Sequence, residues 1–329
     1  MLNNDKNLFD IVLLFALPAS GKSEIRHFLA NIEPERLQQE FHFGETLQLD
    51  DFPYVHFMRR IDQECDKLEH ERIYFPSDEA PMYDARDYGM LFMLLNEDYH
   101  NLINRVEIKP DSAALWMFNR IDNASVKVDM LPRLGLINSE VRNKLALALE
   151  KEASDLLKAK LNEYPENFDN KTIVLEAARG GKDGSTLPLQ DPEGYQFSLR
   201  YLCPEILEKA CILYIDVTAE ESRRKNEERT DPNDPGSILN HGVSLDVMLN
   251  DYGICDMKYL IENSEIKDTI TVKTHGKTYY LPIGVFDNND DKTTYFRQDV
   301  SLWKEDKINE FFADVKKVTD VMFENYKNR

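Results

Sequence analysis

The stretch from Ile11 to Phe28, IVLLFALPASGKSEIRHF, decides the reading of the whole chain. An apolar run ending at Ala16 is followed by a loop of small residues. A Lys-Ser pair then opens a segment that carries Ile25, Phe28, Leu29 and Ile32 at helical spacing. The order is strand, turn, helix. Such a turn offers backbone N–H groups to an anion and sets a helix N-terminus behind them. Within Ala16, Pro18, Ala19, Ser20, Gly21, Lys22 and Ser23, the sequence supplies the parts of a phosphate cradle. Gly21 permits close backbone approach, Lys22 reaches the terminal phosphates, and the Ser23 hydroxyl suits Mg²⁺. The usual pattern, G-x-x-x-x-G-K-[ST], begins with glycine. Ala16 stands in that place, and a position needing positive φ would be strained by it.

Working outward, 329 residues allow a full α/β domain with a large insertion. A formal charge of −20 repels nucleic acid and anionic membrane surfaces, so the partners expected are small anions held locally with Mg²⁺. No apolar run reaches the roughly 18 residues that span a bilayer. The four cysteines, Cys65, Cys203, Cys211 and Cys255, have no C-x-x-C spacing. They read as reduced thiols of a cytoplasmic protein.

TLQLDD, Thr46 to Asp51, reads as a second strand that delivers Asp50 and Asp51 beside the loop. Residues 52–170 are too many for an ordinary connection and are expected to form a mainly helical insertion, with Phe57 to Leu68, Arg86 to Asn104 and Ser139 to Tyr164 as its helices. KTIVLEA, Lys171 to Ala177, is a third strand ending at Glu176, followed by a glycine-rich loop with Arg179 and Lys182. Cys211 to Val217 is the fourth. Thr218 then opens a capping box with Glu221, and the helix behind it bears Arg223, Arg224, Lys225 and Arg229. Residues 220–242 form a candidate lid. Thr269 to Pro282 reads as a hairpin turning at His275-Gly276, Leu281 to Asp287 as a fifth strand, and Leu302 to Tyr326 as a final core-packing helix.

This order of segments resembles the P-loop kinases that phosphorylate nucleosides and other small molecules, in the uridine-kinase-like or zeta-toxin-like manner. The residues that carry the likeness are A-L-P-A-S-G-K-S (Walker A), L-D-D-F, I-D-V with its Arg-bearing helix, and F-D-N-N. The resemblance covers residues 8–50, 171–230 and 280–300. It implies a P-loop NTPase fold, with a parallel five-stranded sheet flanked by helices, a helical insertion and a small β-hairpin. The nucleotide core would be 1–51 plus 171–329, with 52–170 binding an acceptor or a partner. It also implies ATP and Mg²⁺, with Asp51, or else Asp50, as general base, and a lid arginine among Arg223, Arg224 and Arg229. Asn288 falls in the base-binding segment. Ser23, Asp50 and Glu176 are the metal-side groups.

The expected function is therefore transfer of the γ-phosphoryl group to a small-molecule hydroxyl or phosphate. An ATPase or switch that binds another protein through the insertion is the alternative reading, and a scaffold that binds nucleotide without turnover is a third.

Overall fold

The computed structural model describes residues 7–229 and 242–328, and no side-chain statement attaches to Arg229. Most of the candidate lid therefore lies outside the described residues, as does the Arg229 side chain.

The chain opens with β1 (Ile11–Ala16), α1 (Lys22–Ala30), α2 (Pro34–Phe41) and β2 (Glu45–Asp50). A helical run follows: α3 (Phe52–Lys67), α4 (Asp87–Asn104), α5 (Ala113–Val126), α6 (Arg133–Leu136) and α7 (Ser139–Asn162). Next come β3 (Lys171–Ala177), α8 (Gly194–Leu199), α9 (Pro204–Leu207), β4 (Ala210–Asp216) and α10 (Ala219–Arg229). The chain ends with α11 (Leu245–Asn250), α12 (Met257–Glu262), β5 (Thr269–Thr274), β6 (Lys277–Asp287) and α13 (Glu305–Lys327).

The architecture is α/β with one six-stranded mixed sheet in the order β2-β3-β1-β4-β6-β5. The expected five-stranded, wholly parallel sheet needs correction. The β2-β3, β3-β1, β1-β4 and β4-β6 pairs are parallel, but β5 adds to β6 in antiparallel fashion. The second arm of the hairpin and the fifth strand are a single strand, β6. β6 pairs β5 over Lys277–Pro282 and β4 over Ile283–Asp287. Pro282 sits at the handover between partners, where a missing N–H interrupts neither ladder. The turn has His275 at φ 51° and Gly276 at φ 69°, the left-handed pair that matches strand twist.

Alternation along β1 divides the interior in two. Ile11, Leu13 and Phe15 join a core built with α3, α4, α5 and α7, while Val12, Leu14 and Ala16 join one built with α1, α2 and α13. The buried side chains of the 52–170 segment are thus continuous with one face of the sheet.

Local signals explain several boundaries. α3 begins at Phe52, five residues before the sequence expectation, because Pro53 occupies a first-turn position where its absent N–H costs nothing. Asn138 caps α7 by accepting from Glu140 N, and Thr218 caps α10 by accepting from Glu221 N at 3.1 Å. The expected strain at Ala16 is absent. It ends β1 in register with Ile215, and the left-handed positions of the loop fall on Ala19 (φ 55°) and Gly21 (φ 104°).

Phe15 stacks on Tyr195 with centroids 4.6 Å apart and is fully buried, whereas Leu147 on α7 is 81% exposed. Phe15→Ala should cost about 3–5 kcal/mol and Leu147→Ala about 0.5 kcal/mol or less, read from urea midpoints. Equal losses would contradict the two-layer assignment.

Candidate functional site

β1 is flanked by β3 on one side and β4 on the other, and the chain crosses over it between those two strands. The loop after β1 therefore emerges at a topological switch point, where open α/β sheets place their ligand crevice.

The loop is braced from behind by a buried amide. Asn288 donates from Nδ2 to Ser20 O and to Thr293 Oγ1, each at 2.8 Å, and its Oδ1 accepts from Lys292 N at 2.8 Å. A Cβ on Gly21 would lie 2.5 Å from Thr293 Oγ1, so this position needs glycine both for its φ and for space. Ser222 on α10 donates to Pro18 O at 2.7 Å, and the Tyr195 hydroxyl lies 3.2 Å from Ala16 O and 3.3 Å from Ala177 O. Sequence reasoning placed Asn288 at the base-binding segment; in the structure its amide is fully buried in support of the loop. No backbone hydrogen bond among the described residues takes the N–H of Ala19, Ser20 or Gly21. With the α1 N-terminus behind them and Ser23 exposed, those groups fit a phosphate chain with its cation.

Glu176 faces this loop from β3. Its carboxylate takes a hydrogen bond from Arg26 at 2.6 Å, and Lys22 Nζ lies 4.0 Å away. Lys22 and Arg26 are one turn apart on α1, so one helix face presents both cations to one carboxylate. Asp50 stands beside Glu176 in the strand register and accepts from Phe52 N at 2.9 Å. Burial, with Glu176 and Asp51 adding like charge, pushes the Asp50 carboxyl up to about 7.

Asp51 ends the approach from β2. It is the residue before α3 rather than part of the strand, so its side chain is freed from strict alternation with Asp50. It is 6% exposed, and Arg179 Nη1 lies 2.7 Å from its Oδ2. That oxygen has no well-directed hydrogen bond. Burial raises the Asp51 carboxyl, and the Arg179 guanidinium, with Lys22, pulls it back. Arg179 is itself locked, donating to Ser198 Oγ at 3.2 Å, Ala178 O at 2.6 Å and Tyr88 O at 3.1 Å, with Phe92 beneath its guanidinium at 4.4 Å.

The next wall is polar and aromatic. Tyr88 donates to Asp251 at 2.7 Å and touches the Tyr252 hydroxyl at 3.2 Å. The loop after β3 is pressed against that segment: a Cβ on Gly180 would lie 2.7 Å from Ile254 O. Sequence reasoning noted Arg179 as a loop cation without giving it a site role, and it missed Arg26, Tyr88 and Tyr252. Arg26 was discoverable from its four-residue spacing to Lys22. The others depend on tertiary pairing.

The cations of α10 separate into three kinds. Arg224 is spent on Glu221 at 2.6 Å and on Glu228 and is exposed. Lys225 is buried, 2.9 Å from Asp291. Arg223 is half-buried and keeps its Nη1 without a hydrogen-bond partner. Among these described side chains, Arg223 has the donor left over for a ligand. Lys22, Asp50, Asp51 and Glu176 are thus brought together, whereas Arg224 belongs to a surface ion network.

The Asp50 position gives a pH signature. A carboxyl raised by burial favours the folded state in its neutral form, and that contribution is lost as pH rises from about 4 through about 7. In metal-free buffer Asp50→Asn should match wild type near pH 4 and exceed it by about 1–3 kcal/mol at pH 8, read from urea midpoints. A wild type more stable than the variant at pH 8 would contradict this burial. Searches of protein-family models, of curated proteins and of solved structures return no match to this chain.

Proposed function

We propose that the chain is an ATP-dependent kinase of the P-loop type, transferring the γ-phosphoryl group to a hydroxyl or phosphate of a small-molecule acceptor with Mg²⁺. The observation that carries this reading is the convergence, at the carboxyl end of β1, of a loop whose N–H groups take no backbone acceptor among the described residues, Lys22, and carboxylates from β3 and from the end of β2. The strand order supports it by putting that loop at the switch point.

Bound ATP·Mg²⁺ supplies the phosphoryl group. Ser20, Gly21 and Ser23 would hold its phosphates and Lys22 would neutralise their charge. Ser23, with Asp50 and Glu176 beyond it, would face the cation. Three carboxylates, Asp50, Asp51 and Glu176, stand against three cations, Lys22, Arg26 and Arg179. With the Asp50 carboxyl lifted to about 7, the local site is near neutral or slightly positive in a chain of −20, which lessens the repulsion that the whole surface presents to an anion.

Asp51 is the group suited to orient an acceptor hydroxyl and to take its proton late in the transfer. Arg179 favours the charged form of that carboxylate against the burial that raises it, and fixes its direction. Arg223 is suited to the migrating phosphoryl group, and helices α3 and α4 with Tyr88 and Tyr252 would form the acceptor wall. The burial of Asp51 beneath Arg179 favours the second reading, a nucleotide-dependent ATPase or switch whose helical layer meets a protein.

The test is calorimetric titration with MgATP and MgGTP, followed by ADP release with and without a metabolite pool. A kinase binds and releases ADP only with acceptor. Release without acceptor supports the switch, and absence of binding overturns both. Lys22→Ala should abolish turnover with the fold intact. Asp51→Asn should reduce transfer by about 10²-fold or more while changing ATP affinity little. Equal losses in both would assign Asp51 to the cation instead.

A further inference from the structure

A second cluster lies at the amino edge of the sheet, opposite the loop after β1. His100 is on α4, while Cys203 and Glu205 belong to the segment that leads through α9 into β4. One ring nitrogen, the Cys203 sulfur and one carboxylate oxygen all lie within 4.8 Å of one another.

The backbone around them is fixed. Asn96, one turn before His100, accepts from Cys203 N at 2.9 Å through Oδ1 and donates to Tyr201 O at 2.7 Å through Nδ2. His275, on the β5-β6 turn, has its Nε2 at 2.8 Å from Leu202 O, next to Cys203 in the chain. Three segments distant in sequence therefore meet here, and the half-buried thiol hydrogen-bonds with the Glu205 carboxylate as well as with the backbone of Glu205 and Ile206.

Sulfur, imidazole nitrogen and carboxylate oxygen are the donor set of borderline-soft divalent ions. Mg²⁺ takes oxygen throughout. The edges of a tetrahedron around Zn²⁺ are roughly 3.3–3.8 Å, so closure needs a contraction of about 1 Å. Glu205 is exposed and His100 half-buried, and both can supply it by side-chain rotation.

We propose that His100, Cys203 and Glu205 form a three-ligand site for a zinc-type divalent cation, with the fourth position open to water and His275 held alongside. Binding replaces the S–H bond of Cys203 with a metal–sulfur bond and releases that proton to solvent. The bound ion pins α4 to the entrance of β4, and it is independent of the Mg²⁺ chemistry at the other end of the sheet.

The experiment titrates the reduced, metal-free full chain with Co²⁺, which reports a thiolate ligand by a charge-transfer band in the near ultraviolet. The expected result is one equivalent bound, one proton released, and displacement by Zn²⁺ but not by millimolar Mg²⁺. Cys203→Ser should abolish the band while Cys65, Cys211 and Cys255 remain. His100→Ala, a truncation at a half-buried position near the end of α4, should keep the native circular dichroism and weaken Co²⁺ binding by about 10-fold or more. No band at stoichiometric Co²⁺, a band that survives Cys203→Ser, or an affinity unchanged in His100→Ala would each overturn the site.

Discussion

Burial of β1 on both faces is the constraint from which the rest follows. Its alternate side chains enter two separate cores, one under α1, α2 and α13 and the other under the helices of 52–170. A strand covered on both sides cannot slip by a residue without exchanging every side chain between the two cores. Its carboxyl end is therefore fixed to the residue, and with it the loop that carries Gly21 and Lys22. Asn288, Ser222 and Tyr195 then lock that loop from three further elements.

The carboxyl edge of the sheet is acidic by construction. β2 ends at Asp50, β3 carries Glu176 one residue from its end, β4 ends at Asp216 and β6 ends at Asp287. Each is answered in a different way, Asp287 by accepting from Asn289 N at 3.1 Å. Asp216 has Lys258 at 2.8 Å, Glu176 has Arg26, and Asp51 has Arg179. Asp50, wedged between Glu176 and Asp51, is the one whose carboxyl is lifted to about 7. Removing one partner from a buried pair such as Asp51–Arg179 strands a charge, so these pairs fix geometry more than they add net stability. That is the behaviour a site needs when a carboxylate must point at one place.

Much of this was legible in the sequence because the strands announce themselves. KTIVLEA and CILYID are continuous β-branched and apolar runs, and the strands lie where those runs do. The position of the loop was legible because small residues follow an apolar run and Lys-Ser opens a segment with helical spacing. α5 was not read, because its apolar stripe is broken by Arg120 and Asp122. Both turn inward: Arg120 pairs with Asp98 at 2.8 Å and Asp122 accepts from Leu134 N at 3.0 Å. α2 buries only Leu37 and Phe41, too little for periodicity to register. Pro282 divided one strand into two in the reading, since the sequence does not show that a strand can change partners at that point. Arg179 reads as a loop cation until the fold carries it across to Asp51, 128 positions earlier.

The proposed function requires the loop after β1 to hold a nucleotide's phosphates. The most direct test is a crystal structure with a non-hydrolysable ATP analogue and Mg²⁺. The account predicts β- and γ-phosphate oxygens against the N–H groups of Ser20, Gly21 and Lys22, the cation on Ser23 Oγ, and Lys22 Nζ moved from Glu176 onto the phosphates. Phosphates bound elsewhere, or Lys22 still on Glu176 with the loop unchanged in the presence of saturating analogue, would contradict it.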